Sequence, residues 1–266
     1  MMLTDSVLDQ TREVASLVAG VDPRSPVPTC PEWSVRDLVE HIGATQRWVT
    51  RLVEERATDP AVAFSIPWEQ APEDPGEWAA WLEDGATAAV STIDRAPADV
   101  AVFDPGRTGD GLSFWSARLF GEVSVHRLDV ALSVGQPYTL APALASEAVD
   151  DWLSTVTSAG WAAMVPGFAE AMRGSGQTIR WSARDADRSW LVRRTDAPLE
   201  LERSAASTAP TGLDSDVTVA IEGDAVDLLG VLSRRRPLDG PATTVISGDR
   251  PELDHFVDHM VWIGAR

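Results

Sequence analysis

After Arg173-Gly174-Ser175-Gly176 the spacing of apolar residues changes from a helical repeat of about 3.6 to a strand repeat of 2. A single layer cannot follow both repeats, so the chain divides into a helical part and an α+β part, 1–172 and 173–266. Before the change, apolar residues recur at helical spacing over about Thr4–Ala19, Ser34–Glu55, Gly76–Arg95 and Ser113–Ser133. Ser34 stands three residues before Asp37, a short-armed capping box that starts the second helix. The connecting stretches 21–33, 58–75 and 96–111 are rich in Pro or Gly and read as loops. Four long helices joined in this way describe an antiparallel bundle, extended by helices over about Pro142–Thr157 and Trp161–Met172.

Beyond the change, Thr178–Ser182, Ser189–Arg193, Leu199–Glu202 and Asp216–Ile221 alternate as strands, with turns at Asp185-Ala186-Asp187 and Thr211-Gly212. Asp224–Leu232 reads as a helix, Thr243–Ile246 as a strand and Pro251–Trp262 as a closing helix.

Within the bundle, the fourth helix carries a constraint of its own. Trp115, Leu119, Val123 and Val130 share one side, and Glu122, His126 and Asp129 fall in or beside that stripe. A buried carboxylate costs several kcal/mol unless it is paired or bound to a cation. An inward Glu four residues before an inward His therefore calls for a partner, and a divalent metal suits the pair. The chain has only four histidines. Of the other three, His41 lies on the edge of the apolar face of the second helix, near Leu38, Thr45 and Leu52, and is the best third ligand. His41, Glu122 and His126 would leave a fourth position open, which suits catalytic zinc better than structural zinc. His255 and His259 are also four apart, but a place near a helix C-terminus explains them without a metal. The many tryptophans, such as Trp48, Trp78, Trp81 and Trp152, sit at helical spacing as packing residues.

Charge narrows the partners. The net charge is −19, and all 22 basic residues are Arg, so the chain should repel nucleic acid and anionic membranes. With no basic leader and no apolar window near the ~20 residues that a spanning helix needs, a cytoplasmic protein is expected. The single cysteine, Cys30, excludes an internal disulfide framework and a cysteine-cluster metal site, and reads as a packing residue.

The segment Thr29-Cys30-Pro31-Glu32-Trp33-Ser34-Val35-Arg36-Asp37-Leu38-Val39-Glu40-His41, the run Glu122-xxx-His126-Arg127-x-Asp129, and the tail Asp227-Leu228-Leu229 through Arg235-Arg236-Pro237 to Gly248-Asp249 resemble the mycothiol-dependent maleylpyruvate isomerase family. The resemblance spans essentially the whole chain. It implies a two-domain α+β fold, with an N-terminal DinB-like four-helix bundle and a small C-terminal sterol-carrier-protein-like domain. It also implies zinc, or another divalent metal, on His41, Glu122 and His126, and the actinobacterial thiol mycothiol as cofactor.

An Arg of the C-terminal domain, aligned with Arg235, is the implied catalytic group, flanked by Arg234 and Arg236. Arg235, Arg236 and Asp129 are the implied cofactor-binding residues, since the guanidinium fork matches a carboxylate. The residues alone also allow a solvated basic turn at 234–236, and an Asp129 that supports a ligand or simply finishes its helix.

Two readings follow. One is an enzyme, a cis–trans isomerase of an unsaturated acid or a thiol S-transferase, whose partners are a small thiol and an electrophile and which acts as a monomer or weak dimer. The other is a non-catalytic protein that binds a metal or an apolar ligand.

Overall fold

The computed structural model describes residues 3–196, 198–209, 213, 216–240 and 244–260. The turn at Thr211-Gly212, Thr243 at the head of a strand, and the end of the closing helix toward Trp262 lie outside the described residues. The chain forms two compact units, Met1–Tyr138 and Thr139–Arg266.

In the first unit, four long helices form the bundle: α1 (Leu3–Val18), α2 (Val35–Glu54), α4 (Trp78–Arg95) and α5 (Gly111–Ser133), with the short α3 (Pro60–Ala63) between α2 and α4. Both α1 and α2 pack against α4 and α5. The apolar stripes of all four helices meet in a core that includes Val14, Leu38, Ile42, Leu82, Val123 and Val130. Full burial of a Leu such as Leu38 or Leu82 contributes about 1.5–3 kcal/mol.

Local chemistry fixes where α2 begins. Ser34 Oγ accepts from the Asp37 N–H at 3.3 Å while Asp37 Oδ2 accepts from the Ser34 N–H at 2.8 Å, a reciprocal cap worth about 1 kcal/mol. Farther along, Gly43 leaves room for the Trp81 ring, which would overlap any Cβ there. Arg47 then lies 4.2 Å over that ring and donates to the Trp81 carbonyl at 2.6 Å.

The proline-rich segment expected as loop holds a short hairpin instead, β1 (Pro26–Val27) with β2 (Cys30–Ser34). Prolines suppress the sequence signal for strands, yet two residues of β1 at an edge tolerate them.

The second unit is built on a five-stranded sheet of β3 (Thr178–Ala183), β4 (Arg188–Arg193), β5 (Glu200–Ser204), β6 (Val219–Gly223) and β7 (Val245–Gly248), in the order β5-β4-β3-β6-β7. Central β3 runs antiparallel to β4 and parallel to β6, and every one of its residues is buried. Helices α6 (Pro142–Thr157), α9 (Ala225–Leu232) and α10 (Arg250–Asp258) pack on the strands, and the short α7 (Ala159–Met164) and α8 (Phe168–Ala171) follow α6.

This arrangement moves the boundary expected between 172 and 173 to a point before α6. The reason is Asp150 on α6, which accepts from Trp190 Nε1 of β4 at 2.8 Å and from Arg203 Nε of β5 at 2.6 Å. Helical period assigned α6 to the bundle, but its polar anchor and its packing belong to the sheet. Among the described residues, no helix is long and apolar enough to cross a membrane.

Burial alone would raise the Asp150 carboxyl, but the bonds from Arg203 and Trp190 outweigh it and hold the group below its ordinary value of 3.8. Its stabilising contribution is therefore complete above that value and is lost as pH falls through the depressed one. Asp150→Asn should destabilise the protein at neutral pH by about 1.5–3 kcal/mol, and the gap should close in acid below the ordinary aspartate range. Thermal unfolding followed by circular dichroism across pH measures it, and a gap that stays constant into strong acid would contradict the assignment.

Candidate metal centre

The site is built from α2, α5 and the β1–β2 hairpin. The capped start of α2 sets the phase of His41, and α5 presents Glu122 and His126 one turn apart. Because α5 is buried on most of its circumference, its polar groups cannot turn to solvent: Arg118, Ser124, His126, Arg127 and Asp129 are all buried. Glu122 Oε2 stands 3.5 Å from His41 Nε2 and 3.2 Å from His126 Nε2. Those three ligand atoms lie within 4.8 Å of one another. Ligands about 2.0–2.1 Å from a tetrahedral zinc stand roughly 3.3 Å apart, so the two carboxylate–imidazole spacings fit a shared cation.

His126 and Glu122 are each held from behind. His126 Nδ1 faces Asp129 Oδ2 at 2.8 Å, which leaves Nε2 directed at Glu122. Asp129 is wholly buried and is itself tied to the hairpin: Thr29 Oγ1 donates to its Oδ1 at 2.5 Å, and Cys30 Sγ lies 3.9 Å from its Oδ2. Glu122 Oε1 is 3.3 Å from Arg118 Nε, one turn earlier on α5. Trp33 of β2 stacks on the His126 ring at 5.7 Å and tilts against His41 at 4.9 Å.

The side chains of His41, Glu122 and His126 are 20%, 13% and 7% exposed, so His41 is the most accessible of the three. Trp68 stands 5.8 Å from the His41 ring. The Trp68 loop is brought in by α2, since Glu40 accepts from the Ala71 N–H at 3.1 Å and Arg36 donates to the Ala71 and Pro72 carbonyls.

The electrostatics fit the same picture. Burial would raise the Glu122 carboxyl, but Arg118, His126 and His41 together hold it well below the carboxylate range. Burial lowers His41 and keeps it neutral, with a lone pair to offer. His126 is raised, because its bonds to Asp129 and Glu122 outweigh burial, and a cation would compete with that proton for Nε2.

The expected trio of His41, Glu122 and His126 is thus brought together. Asp129 sits behind His126. Arg234, Arg235 and Arg236 occupy the turn after α9 in the second unit. Arg234 adopts a left-handed backbone and donates to the Asp258 carbonyl at 3.3 Å. Arg235 donates to the Ser233 carbonyl at 2.8 Å, and Arg236 pairs with Asp227 while lying over Gly230. His255 and His259 bond to backbone: His255 Nε2 lies 2.8 Å from the Ala171 carbonyl and His259 Nδ1 2.8 Å from the His255 carbonyl. Arg118, Thr29, Trp33 and Trp68 are the site residues that sequence reasoning missed. Arg118 had a signal, since Arg118, Glu122 and His126 recur at a spacing of four. Trp68 had none, because a loop has no period.

Comparison with known proteins bears on the same region. Residues 7–131 match the family model of the mycothiol maleylpyruvate isomerase N-terminal domain. Among solved structures, the chain is similar to the mycothiol-dependent maleylpyruvate isomerase, with a TM-score of 0.49, 14% identity, and coverage of 94% of this chain and 94% of that one. A mutant of that isomerase aligns with a TM-score of 0.50, at the same 14% identity and the same 94% coverage of both chains. At that identity the second likeness, with a TM-score of 0.50, is one of fold alone. No curated protein matches the sequence.

Asp129→Asn keeps the shape of the group behind His126 but removes its charge and frees the imidazole to change tautomer. Zinc affinity, measured by competition with a chromophoric chelator, should fall by about 10–100-fold. Affinity equal to that of the unaltered protein would show that Asp129 does not hold the ligand.

Proposed function

Starting from the match of residues 7–131 to the family model of the mycothiol maleylpyruvate isomerase N-terminal domain, we propose that the chain is a zinc-dependent enzyme that uses mycothiol on an electrophilic unsaturated acid. The observation that carries this reading is the convergence of His41, Glu122 and His126, each offering a ligand atom, in a largely buried cluster. These three residues would hold the metal. The chemistry that a bound divalent ion supplies there is that of a Lewis acid, which lowers the pKa of a sulfur ligand so that it is a thiolate at neutral pH. A thiolate offers reversible addition to an electron-poor double bond, giving cis–trans isomerisation where the addition reverses and S-transfer where it does not.

The chain's own residues supply the positioning. Asp129 holds the His126 tautomer, Arg118 keeps Glu122 ionised, and the Trp33 ring packs on both imidazoles and shields them from water. Arg235, in the turn after α9, is the proposed anion-binding group of the second unit, since its planar fork matches a carboxylate. Reaction in the cytoplasm on small molecules accords with a net charge of −19, which disfavours polyanionic partners.

The second reading, an apolar-ligand carrier, rests on a cavity in the second unit bordered by Val156, Phe168, Met172 and Leu199. Its volume of about 170 Å³ is below the ~300–1,000 Å³ of typical ligand pockets, which favours the enzyme.

Protein purified without chelator should carry about one zinc per chain, and His126→Ala should lose it. Incubation of the zinc-loaded protein with mycothiol and a cis-unsaturated keto diacid, followed by chromatography with mass detection, separates the outcomes. A product of unchanged mass and altered retention indicates isomerisation, and a thiol adduct indicates transfer. Equal metal content in the two proteins, or no thiol-dependent product from a panel of electrophiles, would contradict the proposal.

A further inference from the structure

The two oxygens of Glu122 are not equivalent. Oε2 faces both imidazoles, at 3.5 Å from His41 Nε2 and 3.2 Å from His126 Nε2, whereas Oε1 faces away from them toward Arg118 Nε at 3.3 Å. Arg118 is buried, with a side chain only 5% exposed. The two groups stand at the i, i+4 distance on the same helix, where opposite charges meet. The spacing fixes the contact from the backbone upward: α5 is unbroken from Gly111 to Ser133, and the two side chains share one face.

We infer that Arg118 reserves Oε1 of Glu122, so that the carboxylate offers a bound divalent cation only Oε2 and the cation keeps a coordination place for sulfur. The inference rests on the metal-and-thiol reading above and deepens it. A carboxylate free at both oxygens can close on a metal with two bonds and fill the place an exogenous ligand needs. A fixed positive charge at Oε1 opposes that closure. It also offsets the charge of Glu122, so that the cation remains electron-poor toward a thiolate. Arg118 is on this account a positioning residue, acting through Glu122 and touching neither metal nor thiol.

The test uses the full chain loaded with Co²⁺, whose visible absorption is intense in four-coordinate sites and weak in five- or six-coordinate ones. The unaltered protein should show the intense pattern and bind 2-mercaptoethanol with a sulfur-to-cobalt charge-transfer band. Arg118→Met should bind Co²⁺ but lose intensity, and its thiol affinity should fall by roughly 10-fold or more. Arg118→Lys, which keeps a cation at Oε1, should recover much of both. An Arg118→Met protein that matches the unaltered one in spectrum and thiol titration overturns the inference.

A crystal structure of the unaltered protein with Zn²⁺ tests it independently of how the variants fold. One Glu122 oxygen on the metal and the other on Arg118 supports it, and two oxygens on the metal refute it. Failure of the unaltered protein to take up Co²⁺ or Zn²⁺ would instead remove the metal reading itself.

Discussion

One buried carboxylate governs the first unit. Glu122 lies on a helix that has almost no solvent-facing side, so its charge is maintained only by what surrounds it: Arg118 on one oxygen and two imidazoles on the other. Apolar side chains in place of the whole cluster would serve the core as well, since buried ion pairs are often matched or exceeded in stability by hydrophobic replacements. The polar cluster is thus a cost to folding that a ligand explains better than the core does. A divalent cation is the proposed ligand, and it fits the donor set and its spacing together.

The rest of the unit keeps that cluster in register. Ser34 and Asp37 set the start of α2 and with it the direction of His41. The β1–β2 hairpin lies over the site and contributes in two ways, through Trp33 on the imidazole rings and through Thr29 on Asp129. Two segments rich in proline, the hairpin and the loop that carries Trp68, supply the rim. Helices supply the candidate ligands and loops supply the surroundings, the division expected where a rigid scaffold positions a reactive group.

Much of this was legible in the sequence because long helices announce themselves. The four bundle helices and the convergence of His41, Glu122 and His126 follow from apolar period and from the scarcity of histidine, with only four in the chain. The unit boundary was not legible, because period identifies α6 as a helix without saying which layer it packs on; that depends on Asp150 reaching Trp190 and Arg203, contacts distant in sequence. Arg118 was hidden for another reason. A guanidinium beside a glutamate one turn away is ordinary on a helix surface, and only burial turns it from a solvated pair into part of the site.

The claim on which the account depends is that His41, Glu122 and His126 bind one cation together. Long-range ¹⁵N–¹H correlation spectra of the four histidine rings, recorded while one equivalent of Zn²⁺ is added, address it most directly. The account predicts that His41 and His126 both convert to rings metallated at Nε2 in the same titration step, with His255 and His259 unchanged. Conversion of only one of the pair, or a response confined to His255 and His259, would contradict it.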